Sequence, residues 1–414
     1  MQDLQKAIDE VLGKMPEEIL LPLVAQKLKS QGLMLSKAEQ RKLVARILGN
    51  DTATIKLRAW QFWIPAPPVV IEFTPEDVNK VRVIAEKVTD RLPEIMDSTT
   101  ATVARDILRT LKKRWPREFR RRARGIAGFR QRLHGRWGSA ISSLRMFLVI
   151  ATEYGESINE EIRAITSDKP RYLVQVLTRL HARACQVVEE IVSLLSAGLA
   201  DGAMARWRTL HEIAAVAFLI SRHGEEVAER YIAHQDVESL QAAQRYQKCY
   251  EQLGYDAIEP EEMKLMKEKY DAVIARYGRG FESDFGWAAV AIGKARPKFS
   301  DLEEAVGLDH LRAHYRMAAD NVHANPKGVF VKLGLLAETE ILLAGPSNAG
   351  LADPGHSAAI SLAQISTTLF GLQPTFDNLV ALKTMLELEK EVGQAFGAAH
   401  QRLLEDEAKL RERS

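Results

Sequence analysis

Cysteine is almost missing from this chain: Cys185 and Cys249 are the only two among 414 residues. Two thiols cannot build a disulfide framework or a cysteine-based metal site, so a reducing cytoplasm is the expected setting. No CxxC, HExxH, Walker-type glycine loop or dinucleotide fingerprint is present. The strongest sequence signals for metal hydrolysis and nucleotide binding are therefore absent, and no cofactor or metal is expected. The longest nearly uncharged apolar runs, residues 213–220 and 357–370, fall short of the roughly twenty residues that cross a bilayer. The opening Met1-Gln2-Asp3-Leu4-Gln5-Lys6 has no hydrophobic secretory core, so neither export nor a membrane partner is expected.

What is present is ordinary globular material, 46% hydrophobic and 27% charged, in a length suited to two or three domains. The net charge of +2 hides a strong segregation. Residues 112–136 carry eleven Lys and Arg against one acid, Glu118, so +10 lies in this segment and the rest of the chain nets −8. Within it Phe119, Ala123, Ile126, Phe129, Leu133 and Trp137 recur at steps of three and four, continuing to Ile141, Leu144 and Leu148. Arg117, Arg120, Arg121 and Arg124 line another face, which makes this an amphipathic helix with a basic side. Pro116 suits its first turn, and Gly125, Gly128, Gly135 and Gly138 mark bends or close packing. Closely spaced cations bind phosphodiesters through counterion release, so a nucleic-acid surface is one reading. A solvated face paired with acids elsewhere is the other.

Helical periods dominate the remainder. The first fifty residues read as short amphipathic helices, with Ser36-Lys37-Ala38-Glu39 as a capping box before Leu43, Val44 and Ile47. Residues 52–73 are rich in β-branched and aromatic types around Pro65-Ala66-Pro67-Pro68 and read as a small strand pair or extended clamp. Thr74-Pro75-Glu76-Asp77 then starts a helix, with Thr as N-cap and Pro at the first helical position. A polar break around residues 166–170 precedes helices at 172–197, 203–223, 226–253, 260–277 and 308–323, then a shorter one reaching 343. A turn-rich loop at 345–355 leads to two long helices, broken at Gln373-Pro374, that end near Arg411. The expected fold is mainly α, a multi-helix bundle with a small N-terminal module containing a short strand pair. The expected domains are 1–75, a basic helical region 76–168, and a C-terminal bundle 169–414.

Chemistry-bearing candidates centre on arginine and histidine. An Arg stands five to seven positions before a His at Arg206 to His211 and at Arg316 to His323. On a helix, five residues place the pair about 140° apart, whereas seven bring it within about 20°. Arg316 and His323 could thus combine a phosphate-binding cation with a titratable imidazole, directly before the breaker Asn325-Pro326-Lys327-Gly328. Arg208 and Glu212 are adjacent on a helix otherwise apolar at Leu210, Ile213, Val216, Ala217 and Ile220. A structural salt bridge explains them as readily as a site does. His323 likewise suits either a helix end or catalysis. His310 and His314 have helical ligand spacing, but no acid or cysteine completes a zinc pattern.

The segment Arg208-Thr209-Leu210-His211-Glu212, residues 315–323, and Gly345-Pro346-Ser347-Asn348-Ala349-Gly350-Leu351-Ala352-Asp353-Pro354 before long terminal helices resemble a bacterial family of unknown function. The resemblance covers roughly residues 171–400 and includes the upstream Arg132-Leu133-His134-Gly135-Arg136-Trp137-Gly138 helix. That family in turn resembles the HEPN superfamily of helical proteins. Many HEPN members are metal-independent ribonucleases of toxin–antitoxin, CRISPR and anti-phage systems, acting as dimers. The resemblance implies that Arg316 stabilises phosphate, His323 is the general acid or base, Asn321 orients the scissile phosphate, and Arg208 with Glu212 is a supporting pair. It further implies RNA as substrate, a homodimer, and an antitoxin or regulatory protein as partner. The motif often has a polar residue after its arginine; Met317 stands there instead, and Arg312, one turn earlier, is the substitute. A non-catalytic helical protein that binds nucleic acid or another protein is the alternative expectation.

Overall fold

Apolar residues at helical spacing along most of the chain dictate helices, and a computed structural model shows fourteen α-helices among the described residues. Those are residues 2–49, 54–57, 60–61, 64–65, 69–164, 171–323, 326–336 and 342–412. The protein is a mainly α multi-helix bundle with two minimal strand pairs. It divides into two compact units, Met1–Arg121 and Arg122–Ser414.

The first unit begins with α1 (Gln2–Ser30) and α2 (Lys37–Gly49). Ser36 and Glu39 form the expected capping box: the Ser36 amide and hydroxyl donate to the Glu39 carboxylate, and the Glu39 amide donates back to Ser36 Oγ. Strand β1 (Thr54–Leu57) pairs antiparallel with β4 (Val69–Glu72), and β2 (Trp60–Gln61) with β3 (Ile64–Pro65). Val24, Leu28, Leu43, Val44 and Ile71 form the small core. The first fifty residues do not form several short helices: α1 alone runs 29 residues, with Pro16 and Pro22 inside it. Helix α3 (Pro75–Ala164) starts where expected, with Thr74 and Asp77 capping each other. Lys27 beside Asp77, with the Thr74 amide and hydroxyl, holds that carboxyl down to about 2.

Pro116 lies inside α3 rather than in a first turn. A proline there removes one intrahelical hydrogen bond. Pro116 and its neighbours are exposed, so the carbonyl left without a helical donor remains open to water, and Arg120 Nε donates to the Pro116 carbonyl at 3.2 Å. The helix also continues through the four glycines of its basic stretch.

In the second unit, the apolar stripe of α3 from Leu133 and Trp137 to Leu148 is buried. It joins α4 (Tyr172–Ser196), α5 (Ala200–His223), α13 (Ala352–Phe370) and α14 (Phe376–Arg411) in one core. Helix α13 is central because its small residues let neighbours approach from several sides: Ala358, Ala359, Leu362, Ile365 and Leu369 are fully buried, as expected for a helix apolar all round. Its two buried serines are satisfied across helices, Ser361 by Trp207 Nε1 at 3.0 Å and Ser366 by His181 Nε2 at 3.0 Å.

Helix α6 (Glu225–Tyr246) stops before the expected 253, and α7 (Tyr250–Leu253) is separate. The break is held by bonds across the following loop, Tyr246 Oη to the Asp256 carbonyl and the Ile258 amide to Gln247 Oε1. Then follow α8 (Pro260–Tyr277), α9 (Ala289–Ile292), α10 (Phe299–Val306), α11 (Arg312–Val322) and α12 (Pro326–Phe330). The helix expected to reach 343 ends at Phe330. Downstream, the Leu333 amide is taken by Asp201 and Ser347 Oγ donates to the Gly334 carbonyl, bonds that compete with a helical ladder. The expected break at 166–170 lies outside the described residues.

Candidate functional site

Three elements of the second unit position the candidate groups. On α5, Arg208 and Glu212 are one turn apart, and Arg208 Nε meets Glu212 Oε1 at 3.1 Å. Leu210, Ala214 and Ala217 on the other side are fully buried, so the charged pair occupies the rim of the helix rather than its core face. Helix α11 packs against α5 and supplies Tyr315, whose phenol donates to Glu212 Oε1 at 2.7 Å. The Arg208 guanidinium lies over the Tyr315 ring at 4.8 Å. Burial and the neighbouring Glu212 carboxylate push the Tyr315 phenol up to about 12, so it stays a proton donor at neutral pH.

His323 completes this group. It caps α11 with an extended backbone, φ −103° and ψ 143°, its amide donating to the Ala319 carbonyl at 3.1 Å. Since the helix ends one residue earlier, the same-face spacing from Arg316 does not govern the His323 ring. Its Nε2 lies 3.4 Å from Arg208 Nη1. The imidazole is exposed, so a ligand can reach it.

Behind the rim lies a buried layer. His211, on α5, contacts Glu303 of α10 at 2.9 Å, and both side chains are wholly buried. Arg312, at the start of α11, pairs with the other oxygen of Glu303. Burial depresses the His211 pKa, with Glu303 opposing. A neutral imidazole beside a carboxylate must donate through Nε2, which leaves Nδ1 as an acceptor; Nδ1 has no partner among the described residues. Arg222, near the end of α5, donates to the Ala305 and Val306 carbonyls and ties α10 to α5. The His211 ring sits 5.7 Å from that of Tyr315, so the buried layer supports the exposed one.

The structure therefore brings Arg208, Glu212 and His323 together, and adds Tyr315. Arg316 is exposed and makes no hydrogen bond or ion pair among the described residues. Arg312 is committed to Glu303. Met317 packs against the core, which accounts for an apolar residue at that position. Asn321 lies in α11, but its side chain is outside the described residues. The other Arg–His pair diverges as its spacing predicts: Arg206 pairs with Glu190 at 2.5 Å, His211 with Glu303. Among the described residues no cluster of three His, Cys, Asp or Glu side chains could hold a metal ion. None of the described helices is long and apolar enough to cross a membrane.

Sequence reasoning left Glu303 and Tyr315 without roles. Glu303 carried a signal, because it falls on the stripe of Phe299, Leu302 and Val306, where a carboxylate is unexpected without a partner. The basic residues Arg117, Arg120, Arg121 and Arg124 are exposed on α3, with Arg121 paired to Glu118 at 2.6 Å.

A mainly helical bundle with a polar cluster at a helix end defines the class of this protein. Residues 174–338, which include every member of the cluster, match the model of a family of unknown function (DUF5677). No curated protein and no solved structure matches the chain.

Proposed function

We propose that the protein is a metal-independent, HEPN-like endoribonuclease acting as an effector in stress response or anti-phage defence. The observation that carries this reading is the 3.4 Å approach of Arg208 to an exposed His323. Cleavage of RNA by its own 2′-hydroxyl needs proton transfer and stabilisation of a more negative phosphorane. In the proposed step the 2′-hydroxyl gives its proton to the His323 imidazole and its oxygen attacks phosphorus. The P–O5′ bond breaks, the 5′-oxygen takes a proton from water, and a 2′,3′-cyclic phosphate and a 5′-hydroxyl remain. Arg208 holds the phosphoryl oxygens. Glu212, bridged to Arg208 and Tyr315, fixes the guanidinium. Arg316, exposed and uncommitted among the described side chains, is a second phosphate contact. The basic face of α3 grips the RNA, a homodimer is the acting form, and an antitoxin or regulatory protein restrains it.

Comparing cleavage of structured and unstructured RNA by the wild type, Arg208→Ala and Arg316→Ala tests the assignment. Loss of at least about 100-fold in Arg208→Ala, with a smaller loss in Arg316→Ala, is expected. Equal activity of Arg208→Ala and wild type would remove Arg208 from the site. The exposed cations of α3 also favour a second reading, a non-catalytic helical protein that binds nucleic acid or an acidic partner, with Arg208, Glu212 and His323 serving structure. Salt-sensitive RNA binding without cleavage, in all three proteins, would select it.

A further inference from the structure

The first unit carries a feature that its arginines alone do not explain. Between residues 105 and 121 of α3, eight Lys and Arg face two acids, Asp106 and Glu118. In the same stretch Trp115 and Phe119 are 55% and 57% exposed, one turn apart, with ring centroids 6.0 Å from each other. Large aromatic rings left in water at this density are costly unless something covers them. At about 100° per residue, Phe119 and Lys112 are within about 20° of each other around the helix, and Arg105 is about 40° from Phe119. Phe119 therefore borders the cationic arc, while Trp115 stands about 60° from Lys112, in an exposed apolar stripe with Leu108 and Leu111.

We infer that α3 binds single-stranded RNA, with unpaired bases stacking on Trp115 and Phe119 while Lys112, Arg117 and Arg120 follow the phosphates. Aromatic platforms beside cations are what an unpaired strand needs, because every base has a π-face and a phosphate follows each base. A duplex is a poorer fit, since its bases are already stacked on one another and cannot reach rings on a helix surface. An anionic lipid surface also meets basic amphipathic helices. Here, however, Glu118 lies about 60° from Trp115, between the angular positions of Ile107 and Leu111. Laying that arc into acyl chains would bury a carboxylate. Stacked bases leave it in water. The inference names the substrate class of the RNA reading above and rests on it for RNA, but not for cleavage.

The test measures binding of the full chain to 2′-O-methyl strands, which cannot be cut, so that affinity is read separately from cleavage. An unpaired pyrimidine strand is compared with a hairpin duplex of equal phosphate number, and Trp115→Ala/Phe119→Ala with wild type and with Trp115→Phe. The double variant should lose roughly 5- to 100-fold in affinity for the unpaired strand with an unchanged slope of log K against log salt. Its duplex binding should match wild type, and Trp115→Phe should retain most of the affinity. Undiminished single-strand binding by the double variant would overturn the inference. So would a wild-type preference for the duplex, or wild-type binding to anionic phosphatidylserine vesicles with none to either RNA. If the stacking signature holds and no RNA is cut, only the nuclease reading fails.

Discussion

Two arginines four positions apart on α11 illustrate how differently one residue type behaves with its surroundings. Arg312 neutralises Glu303, whose side chain is wholly buried, whereas Arg316 is exposed and touches no described acid. Removing the partner of a buried carboxylate leaves a charge stranded at low dielectric. Arg312 is itself about one-third exposed, so solvent offsets part of that loss, and about 2 kcal/mol is the expected cost for Arg312→Met. Arg316→Met should lie within about 0.5 kcal/mol of wild type. Urea unfolding of the two variants checks this, and similar losses in both would contradict it. The same contrast shows what was legible in the sequence. Arg208, Glu212 and His323 could be singled out because an i,i+4 ion pair and a helix-end histidine are local patterns. Glu303 lies 92 residues from His211, and that partnership exists only after α5 and α10 have packed.

At the scale of elements, the pairing of α13 with α14 turns on Gly355. A glycine inside a helix normally costs about 1 kcal/mol relative to alanine. At this position a Cβ would lie 2.3 Å from the Phe396 ring, which is wholly buried. The overlap outweighs the propensity gain, so Gly355→Ala should destabilise by about 1–3 kcal/mol. A raised melting temperature would show that α14 can shift to make room. Between α4 and α13, burial lowers His181 to about 4 from an ordinary 6.5. The unfolded chain therefore binds this proton first as pH falls. Stability is complete above about pH 6.5 and declines by about 3 kcal/mol towards pH 4. His181→Gln should flatten that part of the profile, with His211, also lowered by burial, acting in the same direction. An unchanged profile in the variant would exclude His181 as a source.

Most helices were legible because burial imposes their period: the caps at Ser36 and Thr74, the start of α4 and the last two helices follow local rules. The stop at Tyr246 was not, because side-chain bonds to the loop that follows hold it, nor was the end of α12 at Phe330, beyond which the distant Asp201 takes the Leu333 amide. The run of α3 through Pro116 was hidden for another reason, since one exposed turn tolerates a missing hydrogen bond within a long helix.

On the scale of the whole molecule, charge and chemistry lie on different parts of the chain. Residues 112–136, which span the boundary between the two units, carry +10 while the remainder nets −8, and the Arg208, Glu212, Tyr315 and His323 cluster lies further along the chain, in the second unit. A cationic helix that holds RNA and a polar cluster that cuts it would divide binding from cleavage. Changes on α3 should then act mainly on affinity and its salt dependence, and changes at His323 on turnover. The most direct test is RNA cleavage by the purified full chain in excess chelator, wild type against His323→Ala. Cleavage by the wild type that persists in chelator, yields 2′,3′-cyclic phosphate ends and falls at least about 100-fold in His323→Ala is the predicted result. Cleavage abolished by chelator, or retained in His323→Ala, would contradict the account.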